Sequence, residues 1–553
     1  MEKKLNLFFN EKFFYLTIFI SLFVAYYPSL IFDFATQDQW RFSRYDGIYD
    51  KNNILWQCVD TNVRFFLATG RPFTFITECL EHVLVADIKD LKYLRLFNFL
   101  SLYLTFVLIY HYLNQSKFYS FIVIFALALS PGFVFMFIQG LTAFGVIFSL
   151  FLSIAANILF ENYFEETRSQ RKKLSIIFAY ILMVCSLLCY PIFALLNVIL
   201  FFFKKYLFFH EIKFFFKKNY EYLIFIFFSC LAYLIIVKLI NYFLISESVK
   251  EHLSGSHREF GLSNIIILIK NTYNFNFKNF FLWNYLSNIK IFEGGYFFIF
   301  LIFLITHYIY KKDFTLTLII FLAVLFFVNL SSAPLLLSHG KELANWPTRY
   351  FVGFDVMCLI LFLYFFIMLY KLNKNIKLVF YIPHLIILGL IFNQVLVLKQ
   401  SVLLGNKENL LFENQIIKKI SYPKSFNVIF NIDFNVTSEK KIHVNSFKSG
   451  EYAAAITQNP EHRKQILRYL LNKNKFFGYT IVDCRYQNLK KYNDYVCDKS
   501  VPENYYIKLF HTKKLNSENL KNKVMQKHKK IISDANDYFL VNITRDLFKN
   551  EQD

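Results

Sequence analysis

A chain of 553 residues that is 56% hydrophobic and 20% aromatic, with a mean hydropathy of +0.37, carries more apolar surface than a soluble core needs. A soluble protein is excluded and an integral membrane protein is expected. The net charge of +22 would point to nucleic acid in a soluble chain. Here it fits Lys and Arg gathered in short loops on one membrane face, and no nucleic-acid partner is expected.

Met1 to Lys12 is short and basic. The apolar run after it lacks a small-residue cleavage site, so it reads as a retained membrane helix rather than a signal peptide. The first span is Phe13–Phe32, close to the ~20 residues a bilayer requires. Ten more follow at Leu96–Leu113, Phe118–Phe137, Leu141–Phe160, Leu174–Cys189, Ile192–Phe203, Tyr222–Ile245, Tyr296–Tyr310, Phe314–Leu330, Tyr350–Tyr370 and Leu378–Leu398. The third carries Ser130-Pro131-Gly132 near its far end, which predicts a short, bent helix. The fifth and sixth form a hairpin broken at Tyr190-Pro191.

With the N-terminus inside, the inner segments hold Lys3, Lys4, Lys12, Lys117, Arg168, Arg171, Lys172, Lys173, Lys204, Lys205, Lys213, Lys217, Lys218, Lys311, Lys312, Lys371, Lys374 and Lys377. The short outer turns at Pro131 and Pro191 hold no basic residue, as the positive-inside pattern requires. Eleven spans then leave Lys399 to Asp553 outside. The long outer loops are Asp33 to Asp90, Ser246 to Gly295 and Ser331 to Arg349, so the working surface is expected there. No internal repeat is evident.

The first outer loop carries the chemistry. Asp38 follows the exit of the first span, within reach of a lipid headgroup, and a positioned carboxylate there can accept a proton. A solvated boundary charge or an N-cap is the plain alternative; Trp40, Arg41 and Gly70-Arg71-Pro72 in the same loop tip the reading towards catalysis. Arg71 precedes a Pro suited to the first turn of a helix over Phe73 to Val85. Free N–H groups at that helix start, together with Arg71, would make a phosphate site. Arg349, on the third outer loop, is a second phosphate candidate, because Arg grips phosphate at two points. Snorkelling is the plain alternative for both arginines, but their place on the outer side disfavours it.

Arg41 and Lys341 are weaker phosphate contacts of the same kind, as are Arg44 and Arg64. Glu78 is a further substrate contact. Glu78 and His82 lie four apart and could share a metal, although a solvated face of an interfacial helix accounts for them better. No metal ligand is assigned; a divalent cation is left open.

Cys185, Cys189, Cys230 and Cys358 fall in apolar segments and read as small packing residues, whereas Cys58, Cys79, Cys484 and Cys497 fall in polar regions. No spacing resembles a zinc site. The twelve residues between Cys484 and Cys497 would suit a bridge in an oxidising compartment, with two free thiols as the alternative. The tail, 399–553, is polar and Lys-rich, with strand-like runs at Phe426–Phe430, Tyr479–Val482 and Tyr538–Ile543 and helical patterns at Pro460–Asn472 and Leu520–Asp537. It is long enough for one α/β domain.

A first span, an outer loop with an acidic residue near its start, a Gly-Arg element, an amphipathic helix and many further spans resemble the GT-C superfamily of membrane glycosyltransferases. The nearest branch is the GtrII-type glucosyltransferases of bacterial O-antigen modification. That branch shows an Asp-Asp pair in the first loop where this chain reads Gln37-Asp38, and a later Gly-Arg matched by Gly70-Arg71. A mechanism or metal site built on both carboxylates is therefore not implied. The resemblance covers residues 1–160 in motif and the membrane region, 1–398, in architecture; it does not reach the tail.

What the resemblance implies is an inverting transfer of a sugar, glucose in that branch, from an undecaprenyl-phosphate donor to a lipopolysaccharide-type glycan acceptor. It would occur at the periplasmic face of the bacterial inner membrane, with a donor synthase and a flippase in the same pathway. Asp38 would be the base, and Arg71 and Arg349 the phosphate clamps. Two other readings compete. An O-antigen polymerase or ligase usually carries its large outer loop late, but here the late loop is short. A lipid-linked glycan transporter tends to show inverted repeats and polar residues mid-span, and here Lys238 is the main such residue.

Overall fold

The computed structural model describes residues 11–32, 90–114, 117–138, 143–165, 169–204, 215–244, 295–331, 352–373, 377–415, 426–432, 479–483, 507–512 and 537–543. It also describes positions 67, 70–74, 76, 77, 79, 85, 467, 470, 471 and 474.

A bilayer offers backbone groups no water, so apolar segments must satisfy themselves as helices. In chain order these are α1 (Glu11–Ile31), α2 (Leu91–Leu113), α3 (Lys117–Ala128), α4 (Pro131–Ile138), α5 (Ala143–Glu165), α6 (Ser169–Cys189), α7 (Pro191–Ala194) and α8 (Leu196–Phe202). They continue with α9 (Phe215–Leu244), α10 (Gly295–Lys311), α11 (Phe314–Ser331), α12 (Val352–Leu372) and α13 (Lys377–Gln415). Among the described residues six helices are long and apolar enough to cross a membrane: Glu11–Ile31, Leu91–Leu113, Ala143–Tyr163, Tyr220–Ile240, Asp355–Leu372 and Val379–Leu396. The protein is a helical, multi-pass membrane protein. The other five predicted spans fall on shorter apolar helices of 10–17 residues: Lys117–Ala128, Lys173–Cys189, Pro191–Phe202, Ile299–Lys311 and Phe314–Phe327.

Two of the short ones are broken, the third predicted span where Pro131 removes a backbone donor. The third predicted span ends α3 at Ala128, turns through Leu129 and Ser130, and resumes as α4 at Pro131. The sixth breaks at Leu195, between α7 and α8. The last helix runs past the predicted span end at Leu398 to Gln415.

Exposed Leu104, Phe227 and Phe392, each more than 60% accessible, face outwards as lipid-contacting residues do. Inside, α5 carries a stripe at four-residue spacing: Gly145, Ser149, Ser153, Asn157 and Glu161. Residues so spaced line one helix face, and this face packs on α6, α7 and α8. The Ser149 hydroxyl lies 2.9 Å and 3.0 Å from the carbonyl oxygens of Ser186 and Tyr190, and the Ser186 hydroxyl donates back to the Ser149 carbonyl at 2.6 Å. Lower down, the Asn197 amide donates to Asn157 Oδ1 at 3.1 Å, and Asn157 donates to the Tyr112 hydroxyl at 3.3 Å. At the stripe's end Glu161 pairs with Lys204, whose ammonium also lies 4.4 Å from the centre of the Tyr112 ring. In an apolar interior such bonds set helix register, at roughly 0.6 kcal/mol each.

In the tail, four strands form one sheet: β1 (Phe426–Ile432), β2 (Tyr479–Asp483), β3 (Ile507–Thr512) and β4 (Asp537–Ile543), in the order β2-β1-β4-β3. β1 lies parallel to β2 and β4, and β3 runs antiparallel to β4. The three strand-like runs of the sequence fall on β1, β2 and β4; β3 was not expected. Leu467, Leu470 and Leu471, in the first helical pattern, are helical and buried. The second helical pattern lies outside the described residues, apart from Asp537, which begins β4.

Candidate functional site

The site is built around Gly70-Arg71-Pro72. Gly70 adopts φ +69, the left-handed region that glycine enters without steric cost. Its carbonyl accepts a 3.0 Å hydrogen bond from the buried Tyr233 hydroxyl of α9. A Cβ at Gly70 would stand 3.0 Å from that hydroxyl, so both the conformation and the close approach call for glycine.

Pro72 and Phe73 form the corner of a turn closed by the Thr74 N–H on the Arg71 carbonyl at 3.0 Å. Thr74, Ile76, Thr77 and Cys79 are helical, and Val85 is not. Among the described residues, the N–H groups expected to be free at this helix start are already engaged. Pro72 has no N–H, Phe73 N–H donates to the Leu188 carbonyl at 3.3 Å, Thr74 N–H to Arg71, and Ile76 N–H to the Phe73 carbonyl at 3.2 Å. Those donors are committed to the backbone, and the Arg71 side chain is the phosphate candidate that this turn carries.

This segment is sunk into the end of the bundle. The Thr74 hydroxyl donates to the Cys189 carbonyl at the end of α6. The buried Thr77 meets α5 at Gly145, where an added Cβ would come within 3.0 Å of its hydroxyl oxygen. Arg71 thus stands where α5, α6 and α9 converge, with its Cζ 5.0 Å from the centre of the Tyr190 ring. That distance is within the ~6 Å range of a cation–π contact.

Of the predicted site residues, Arg71 is the one within the described structure. Asp38, Arg41, Glu78, Lys341 and Arg349 lie outside the described residues, as do Arg44, Arg64 and His82. Among the described residues no group of three or more His, Cys, Asp or Glu could hold a metal ion. Lys238, the mid-span cation noted in the sequence, is exposed on α9.

Sequence reasoning missed several buried polar residues. Arg95 and Asn98 sit fully buried on α2, and Asp355 fully buried at the start of α12. Their signal was an ionisable or amide side chain inside an otherwise apolar run, which marks an inward-facing position. Tyr190 and Tyr233 carried no comparable signal, being two aromatics among many.

Cys79 is disulfide-bonded and almost wholly buried. Cys185, Cys189, Cys230 and Cys358 are free, so its partner is one of Cys58, Cys484 and Cys497, which lie outside the described residues. A non-reducing peptide map is expected to recover the Cys79 peptide joined to a second one. Linkage to Cys58 would leave the Cys484–Cys497 bridge available, whereas linkage to either tail cysteine would rule it out. Recovery of Cys79 singly alkylated would refute the bond.

Comparison with protein-family models, with curated proteins and with solved structures found no match to this chain.

Proposed function

We propose that the protein is a membrane glycosyltransferase that moves a sugar, glucose in the first instance, from undecaprenyl-phosphate-sugar to a surface or lipid-linked glycan such as O-antigen. The observation that carries the reading is the placement of Arg71, a cation held against an aromatic ring at the end of an apolar bundle. A lipid phosphate has its charged group at that depth and its tail alongside the helices, which no soluble anion does. The Cys79 disulfide supports the side. Such bonds persist in oxidising compartments, so the loop 33–90 faces the periplasm. The N-terminus is then cytoplasmic and, with eleven spans of GT-C-like arrangement, the α/β tail domain is periplasmic.

In this reading the acceptor hydroxyl oxygen attacks the anomeric carbon while Asp38 takes its proton. The bond from that carbon to the phosphate oxygen breaks on the opposite face, and its electron pair leaves with polyprenyl phosphate. The configuration inverts. A phosphate leaves readily without a general acid, so the protein has to supply the base, cationic groups on the phosphate and orientation. Arg71 and Arg349 take the phosphate, with Arg41, Lys341 and Glu78 as further contacts to donor or acceptor.

Membranes containing the protein are expected to move labelled sugar from polyprenyl-phosphate-sugar into glycan, and membranes lacking it are not. Movement of intact lipid-linked glycan across the bilayer without formation of a new glycosidic bond would identify a transporter and reject the proposal.

A further inference from the structure

We propose that Tyr190 is a positioning residue for Arg71, a platform that holds the guanidinium so that it meets a lipid phosphate; this rests on the phosphate reading above. The two residues are 119 positions apart and come from different parts of the fold, a loop turn and the junction of two membrane helices.

Tyr190 is held on every side. It lies between α6 and α7 in an extended conformation, φ −151 and ψ 93, and is 2% exposed. Its N–H donates to the Ser186 carbonyl at 3.1 Å. Its carbonyl accepts from Phe193 N–H at 3.1 Å, from Ala194 N–H at 3.0 Å and from the Ser149 hydroxyl at 3.0 Å. The Phe193 ring packs edge-on, 5.4 Å away. The ring face that meets Arg71 is therefore fixed before any ligand arrives.

Arg71 is brought to that face in a set register. Phe73 is bonded to Leu188 and Thr74 to Cys189, the two residues immediately before Tyr190. On the other side, Gly70 is held by Tyr233. A guanidinium stacked on a fixed ring loses little further freedom when it binds, because its planar fork is already oriented. Packing alone would be served by any side chain of similar volume; orientation of the fork needs an aromatic face.

The full-length protein in nanodiscs, titrated with undecaprenyl phosphate and with undecaprenol as the uncharged control, separates these roles. Tyr190→Leu is expected to weaken binding of the phosphate by about 3- to 30-fold, the range of a cation–π contact. Tyr190→Phe, which keeps the ring face, should stay within about twofold of the native protein. In an Arg71→Leu background, Tyr190→Leu should cause no further loss. Thermal unfolding checks that each variant is folded, and Tyr190→Met replaces Tyr190→Leu if the latter is not. Native binding by Tyr190→Leu, or the same loss with Arg71 present and absent, overturns the positioning role while the phosphate reading stands. A native protein that does not prefer the phosphate over undecaprenol overturns both.

Discussion

Asp38→Asn should lower sugar transfer by about 10²- to 10⁴-fold, the usual worth of a general base, while the protein remains in the membrane at normal levels. The substitution keeps the size and much of the hydrogen bonding of the side chain but removes its affinity for a proton. The acceptor hydroxyl would then have to attack with its proton still in place. A boundary charge would behave otherwise: stability would change by well under ~1 kcal/mol and transfer would persist. The measurement is turnover of labelled donor in membranes matched for protein level. Near-native turnover by Asp38→Asn would reject the mechanism, and Asp33, Asp46 and Glu78 would become the carboxylates to test.

Arg71→Ala should impair both donor binding and turnover, unlike the Asp38 variant, whose defect should lie in turnover. In the proposed mechanism the guanidinium would bind phosphate in the ground state and also meet the negative charge that grows on the phosphate as the glycosidic bond breaks. A hydrogen bond to a charged group contributes about 1.5–3 kcal/mol, so losing one such contact predicts a fall in kcat/KM on the order of 10- to 100-fold. Arg71→Lys should restore part of this, since an ammonium supplies charge without the two-point fork. Full activity of Arg71→Ala in the same assay would remove the phosphate clamp from the scheme.

Helix positions were legible in the sequence because a bilayer leaves an apolar run one way to satisfy its backbone. The predicted Phe314–Leu330 is observed as Phe314–Ser331, and the prolines at 131 and 191 mark the breaks they were expected to mark. Errors arose where hydropathy and helix part company. α2 begins at Leu91 rather than Leu96, because Arg95 is buried against protein instead of marking an exit to water. α13 continues through Lys399 and Lys407, since a helix need not stop where its apolar stretch does.

At the candidate site, Gly70 and Arg71 could be read from their local pattern. Their surroundings could not: Tyr233 meets Gly70 across 163 residues, and nothing in the neighbourhood of Tyr190 or Gly145 distinguishes them from ordinary helix-end residues. The disulfide at Cys79 had no local signal that singled out one partner, since Cys58, Cys484 and Cys497 all lie in polar stretches.

The split between α7 and α8 also bears on how the chain is made. Together, Pro191–Phe202 would extend about 18 Å as helix, against the ~30 Å of a hydrocarbon core. Such a segment cannot leave the insertion machinery as an independent span. It also carries Asn197, whose amide finds its partners on α5, at Asn157 and the Ser153 carbonyl. Those partners are synthesised some 40 residues earlier, and α6 follows them before Asn197 emerges. The helical hairpin of α5 and α6 therefore has to stay at hand as a lodging for the fragment behind it. The expected outcome is that α5, α6 and the Pro191–Phe202 fragment insert together as one package.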